Sequence, residues 1–270
     1  MHYRLLSFLS LLITVLSAPA YAQSGHLTLT GSSTVAPLVT EIAKRFEKTH
    51  SGTRIDVQTG GSARGINDAR SGLSDIGMVS RALKASENDL TAYTIAMDGI
   101  GIILHKENGI KKLTNDQIIH IYTGQINNWK NLGGRDLPIT VVNKAEGRST
   151  LELFLKYFSL KNSQIKPSVI IGDNQQGIKT VSGNIGAIGY VSIGTAEYEI
   201  KSGASIKLLP IMDIEATTEN VKNGTFPLAR PLNLVAKNTS SLLLNKFIQY
   251  AQSQEVYDLV EAQFFVPVEH

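Results

Sequence analysis

At 270 residues, with 42% apolar and 18% charged side chains, the chain can bury a substantial core in one large or two modest domains. Its formal charge of +3 has no Lys/Arg run behind it, which disfavours a nucleic-acid partner. Cysteine is absent, so disulfides, thiolate metal sites and a lipid-modified N-terminal cysteine are excluded.

Residues 1–22 read as an export signal. Arg4 gives the positive start, Leu5 to Leu16 an apolar run, and Ala20-Tyr21-Ala22 an A-x-A cleavage signal. The run is short for a membrane span, so cleavage after Ala22 and release into the bacterial periplasm are expected. Loss of Arg4 leaves 25 of the 26 basic side chains against 23 acidic ones, a mature charge near +2.

Leu27 to Thr30 alternate as a short strand and lead into Gly31-Ser32-Ser33-Thr34. Val35, Leu38, Val39, Ile42 and Phe46 then recur at helical spacing, with Pro37 in the first turn. A strand, a glycine with hydroxyls and a helix start suit an oxyanion. The first helical N–H groups lack internal partners and carry the positive end of the dipole. The plainer role for Ser and Thr here is helix capping.

The device recurs. Thr53 to Gln58 alternate as a strand and run into Gly60-Gly61-Ser62-Ala63-Arg64-Gly65. A helix follows, with Ile66 and Ala69 inward and Gly72 as its stop. The glycines admit close backbone approach to a ligand, but the Gly-Lys-Ser/Thr of a Walker loop is missing. Asp75 to Arg81 reads as a buried strand ending in Ser80 and Arg81, the end at which open α/β sheets place ligands.

Asp98 to Lys106 and Arg230 to Lys237 are long apolar strands half the chain apart, as two crossings between lobes would be. Between them, Thr114 and Gln117 open a helix with a capping box and Gly124 closes it. Trp129 anchors the loop that follows. The strand from Pro138 to Asn143 feeds the third turn, Asn143 to Phe154, in which Ser149 and Glu152 read as a capping box that starts a helix at Ser149. Lys144 and Arg148 flank that start, and Arg148 can hold an oxyanion through its planar fork of donors.

Val169 to Gly172 form a strand, Gly177 to Val181 a helix, and Gly186 to Val191 a buried strand. The stretch Gly172 to Thr180 fails as a P-loop because Ile178 interrupts the Gly-Lys pair. Residues 201–228 are mixed and polar and take no assignment. Leu242 to Tyr250 and Glu255 to Phe264 are closing helices. Alternating strands and helices imply a parallel-rich α/β architecture.

The six histidines have no metal-ligand spacing, a G-x-S-x-G elbow is absent, and one S-x-x-K at Ser163 to Lys166 lies in a polar run. No catalytic set, metal or cofactor is expected. What remains is a set of hydroxyls and cations at glycine-bounded helix starts: Ser33, Thr34, Ser62, Ser80, Arg81, Lys144, Arg148, Ser149 and Thr150. Three such turns, each after a strand, fit an oxyanion held by hydrogen bonds between two closing lobes.

Five segments resemble the phosphate-binding proteins that serve ABC-type phosphate importers. They are Gly31 to Pro37, Gly60 to Ile66, Asp75 to Arg81, Val141 to Thr150 and Gly186 to Val191, in the family's order and spacing over the mature chain. The resemblance implies the type II periplasmic-binding-protein fold: two α/β lobes, 23–100 with 235–270 and 101–234, joined by a two-strand hinge around a central cleft. It implies phosphate as ligand and a membrane permease as partner, with a monomer the simplest state. Ser33, Thr34, Ser62 and Thr150 match the family's ligand-contacting positions.

Three positions depart from the family. Ser80 stands where the family often has an Asp that accepts the proton of phosphate. Lys144 replaces an Arg, and Gly147-Arg148-Ser149-Thr150 replaces a G-S-G-T turn. A carboxylate acceptor separates hydrogen phosphate from sulfate. Ser80 therefore leaves that choice open, with Glu146 either the substitute acceptor or a partner of Lys144 or Arg148. A binder of another oxyanion, a sensing or attachment protein, and a phosphate-ester hydrolase are the alternatives.

Overall fold

The computed structural model describes residues 25–237 and 241–270, so the export signal and its cleavage point lie outside the described residues. The chain opens as β1 (Gly25–Gly31), α1 (Ala36–Thr49), β2 (Thr53–Thr59), α2 (Ser62–Ser71) and β3 (Ile76–Val79). β2 and β3 flank β1, both parallel to it. α1 buries Leu38, Val39, Ile42 and Phe46, the face set by the apolar spacing. α2 ends at Gly72 in the left-handed conformation, as a glycine stop should.

β4 (Thr91–His105) is longer than its apolar stretch foretells. Its first half pairs with β9 (Ala229–Ala236), its second with β7 (Ala187–Ser192) and β8 (Ile206–Leu209), all antiparallel. β5 (Thr140–Lys144) lies between β7 and β6 (Val169–Ile171), parallel to both. β1 with β2 and β3, and β5 with β6 and β7, pair in parallel, whereas every pairing made by β4 or β9 is antiparallel. The chain passes from one half to the other once in each direction, so the two crossing strands must oppose.

Each half has its own core. The first gathers Leu29, Leu38, Phe46, Met78, Ile95, Leu232, Leu234 and Phe247. The second gathers Ile102, Trp129, Phe154, Ile188, Tyr190 and Leu228, with a smaller cluster around Ile103, Val142 and Val181. β4 changes core between Ala96 and Ile100, and the returning chain changes core between Leu228, just ahead of β9, and Leu232 within it. Leu232 and Leu234 already belong to the first core, so the return crossing lies upstream of residue 235. Asp98 and Arg230 face each other in register at this crossing.

The remaining helices are α3 (Asn115–Tyr122), α4 (Ser149–Tyr157), α5 (Asn174–Ser182), α6 (Ile193–Lys201), α7 (Thr218–Lys222), α8 (Leu242–Ala251) and α9 (Tyr257–Ala262). The Thr114–Gln117 capping box forms as expected. Trp129 is buried and its indole N–H donates to the Gly186 carbonyl at 3.0 Å, which pins its loop. α9 is shorter than expected because a 3-10 turn, Gln254–Val256, takes the first part of the segment. Among the described residues no helix is long and apolar enough to cross a membrane.

Candidate anion-binding site

The three glycine turns meet at the crossing. At the first, Gly31 has φ +135° and a Cβ there would lie 2.3 Å from the Met78 carbonyl oxygen, so only glycine lets β1 end against β3. That approach puts the Ser32 hydroxyl 3.0 Å from the Ser80 hydroxyl, to which it donates. At the second, the Ser62 hydroxyl accepts the Ser80 backbone N–H at 3.2 Å. At the third, the Gly147 carbonyl accepts the Ala63 N–H at 3.1 Å, so the α2 and α4 turns touch across the two halves.

Arg230 ties these turns together. Its guanidinium is 1% exposed and forms an ion pair with Asp98 at 2.8 Å. The same group donates to Thr150 at 2.9 Å, Thr34 at 3.3 Å and Ser80 at 3.4 Å. Asp98 accepts the Gly194 N–H through its other oxygen. Asn174, on α5, donates to Thr34 at 3.1 Å and accepts from the Lys144 ammonium at 2.8 Å. Thr34, Ser62, Ser80, Lys144, Ser149, Thr150, Asn174 and Arg230 are all buried here.

Helix capping does not explain the hydroxyls. Thr114, Asp173, Ser192, Thr217 and Ser241 cap α3, α5, α6, α7 and α8 with their side chains. By contrast α1, α2 and α4 begin without a side-chain cap bond. The expected Ser149–Glu152 capping box is not formed. Arg148 is the N-cap, Ser149 is the first helical residue, and Glu152 turns to Arg81 and Lys84 at 3.1 and 2.7 Å. The Ser149 hydroxyl and the Arg148 Nε are consequently buried with no hydrogen-bond partner among the described residues. A buried donor left unpaired costs about 1–3 kcal/mol, which a suitably placed acceptor would recover.

Arg81 is a correction to the expected set. Its two terminal nitrogens clasp the Glu87 carboxylate at 2.8 Å each, and one of them also donates to the Ala82 carbonyl. Its Nε lies 3.1 Å from Glu152, off the line of a good hydrogen bond. The short loop after β3 folds Glu87 back under Arg81 and commits the guanidinium there. Glu146 is exposed and accepts from Asn162 at 2.8 Å, and it forms no ion pair with Lys144 or Arg148 among the described residues. Ser33 is half-buried beside Thr34 and makes no hydrogen bond through its hydroxyl among the described residues.

Arg230, Asp98, Asn174 and Ser32 were missed by the sequence reading. Asp98 and Arg230 did leave a trace, each a lone charge in an otherwise apolar strand. The network holds two guanidiniums, Arg148 and Arg230, the amino group of Lys144, and one carboxylate, Asp98. Lys144 has no carboxylate within ion-pair distance among the described residues. Burial, reinforced by Arg230, lowers its pKa from the usual lysine range to about 7. Such an array of donors, with cationic excess and little solvent, is built for a small anion.

The PBP superfamily domain matches residues 17–255 of the chain. A candidate phosphate ABC transporter substrate-binding protein from Clostridium perfringens, solved with bound phosphate, shares 34% identity at a TM-score of 0.83, covering 91% of this chain and 100% of that one. An ABC-type phosphate transport receptor from Vibrio cholerae shares 28% at a TM-score of 0.71, covering 90% and 100%. The phosphate-binding protein PstS of Bacillus subtilis is 28% identical over 250 residues, 91% of this chain and 81% of that protein.

Proposed function

The chain belongs to the PBP superfamily, among the phosphate-binding proteins of ABC-type importers, and from that membership we propose that it captures inorganic phosphate in the periplasm for a membrane permease. The observation that carries this reading is the convergence of three uncapped helix starts on the buried Arg230 network. Oxyanions bind by such hydrogen bonds without needing a counter-charge for each of their own. Ser33, Thr34, Ser62, Ser80, Lys144, Arg148, Ser149 and Thr150 are proposed as ligand groups, with Arg230 added and Arg81 withdrawn.

The lobes of this reading separate at Asp98 on β4 and Arg230 on β9, and closure brings α2 onto the α4 turn. Binding and release require no chemical step, so no enzymatic role is assigned; the mature protein of this reading begins after Ala22, and a monomer suffices. Isothermal titration of ligand-stripped protein with phosphate and with sulfate tests the reading. Heat with phosphate at micromolar concentration is the expected outcome; silence with both anions would end it.

A further inference from the structure

Apart from Asp98 with Arg230 at the crossing, the ion pairs that reach from one half to the other are, among the described residues, those of Glu152 with Arg81 and Lys84. Glu152 stands in the first turn of α4, where a carboxylate ordinarily serves the N-terminal end of its own helix. Here it leaves that end uncapped. Its carboxylate lies 3.1 Å from Nε of Arg81 and 2.7 Å from Nζ of Lys84, both on the loop after β3.

That loop is organised to receive it. Glu87 is buried; its two oxygens hold the terminal nitrogens of Arg81, and one of them also accepts the Lys84 N–H at 2.8 Å. Asn233 of β9 donates to the Arg81 carbonyl at 2.8 Å and fixes the root of the loop. The Arg81 Nε, which makes no hydrogen bond, and the Lys84 ammonium are left facing one place. The loop carries two cations against its one carboxylate, and Glu152 brings the second carboxylate from the other half. When Glu152 withdraws, Arg81 keeps Glu87 and Lys84 is exposed to water, so neither charge is stranded.

The pair also sits directly behind the anion groups: Ser80 precedes Arg81, and Thr150 lies two residues before Glu152. A movement that draws the start of α4 onto Ser80 therefore carries Glu152 onto Arg81 and Lys84. Resting on the phosphate-capture reading above, we propose that Glu152 is a latch: its ion pairs with Arg81 and Lys84 form as the halves come together and break before the anion leaves, so they slow release without touching the ligand. The anion enters while the halves are apart and the latch is unmade, so the latch acts on dissociation and leaves association alone.

The test measures association and dissociation rates of labelled inorganic phosphate for the ligand-stripped native protein, Glu152→Gln, Lys84→Met and the double variant. Glutamine keeps the shape and capping capacity of Glu152 and removes its charge. Glu152→Gln should raise the dissociation rate about fivefold, the scale of one partly exposed ion pair, with an association rate no lower than native. Lys84→Met should give part of that rise, and the double variant no more than Glu152→Gln alone, because the shared interaction is already gone. A native dissociation rate in Glu152→Gln, a weakening carried by slower association, or additive effects in the double variant would overturn the latch while leaving phosphate capture standing. Absence of phosphate binding by the native protein would overturn both. Lys84 is exposed on its loop, so Lys84→Met decides the matter even if Glu152→Gln does not fold: a native dissociation rate there would itself overturn the latch.

Discussion

Replacing Arg230 by methionine would leave Asp98 buried opposite an apolar side chain. Removing one partner of such a pair destabilises by about 3–5 kcal/mol, because the remaining charge is uncompensated. Arg230→Met should therefore lower the urea midpoint and abolish phosphate binding together. Adding Asp98→Asn should recover part of the stability, since the amide oxygen can still accept the Gly194 N–H, and none of the binding. Recovery of binding in the double variant would show that Arg230 acts only by neutralising Asp98. Lys144 gives the opposite sign. Its folded pKa near 7 lies below the ordinary lysine value, so the unfolded chain holds a proton that the fold rejects between about pH 7 and 10.5. Ligand-free stability should rise with pH across that window. Lys144→Met should stabilise the ligand-free protein by a few kcal/mol at pH 6, where the whole cost of the buried charge is present, and by roughly half as much at pH 9. Melting curves that give the same gain at both pH values would rule out a buried, titrating lysine.

At the scale of elements, the helix starts fall into two kinds that a matched pair of alanine variants separates. Thr114 caps α3, and Thr114→Ala should cost about 1 kcal/mol of stability with phosphate affinity untouched. Ser149 caps nothing, and its buried hydroxyl has no partner among the described residues. Ser149→Ala should leave ligand-free stability level or slightly higher, yet weaken phosphate by about 1 kcal/mol, near fivefold. A loss of stability equal to that of Thr114→Ala would make Ser149 an ordinary cap. The strand and helix sequence of each turn was legible because alternation, glycine placement and helical spacing are local properties. The failed box at Ser149 shows the limit: Ser-x-x-Glu fits the local rule, and Glu152 is drawn off by Arg81 and Lys84 from the other half, which no local window contains. Arg230 and Asp98 were illegible as site residues for a related reason. They sit inside strands, where a side chain's target depends on which strand lies beside it.

Closure of the whole molecule rests on contacts that span the two cores. Ala63 N–H to the Gly147 carbonyl, Asn174 to Thr34, and Glu152 to Arg81 and Lys84 all join one half to the other. Among the described residues β4 and β9 are the strands that run from one core into the other, so a hinge there would break these contacts and leave both cores intact. The chain's lack of cysteine makes this directly testable. A Cβ on Gly147 would stand 3.3 Å from the Cβ of Ala63, slightly closer than the roughly 3.5–4.5 Å spanned by a disulfide. Gly147 has φ +77°, so a cysteine there carries about 1–2 kcal/mol of backbone strain, small against the constraint of a cross-link. Ala63→Cys with Gly147→Cys, oxidised after phosphate is added, should trap the anion: exchange of labelled phosphate should slow by orders of magnitude and recover on reduction. Oxidised without phosphate, the same variant should admit it equally slowly. Rapid exchange through an intact disulfide would mean that phosphate enters and leaves without the halves parting, and the hinge at Asp98 and Arg230 would lose its function.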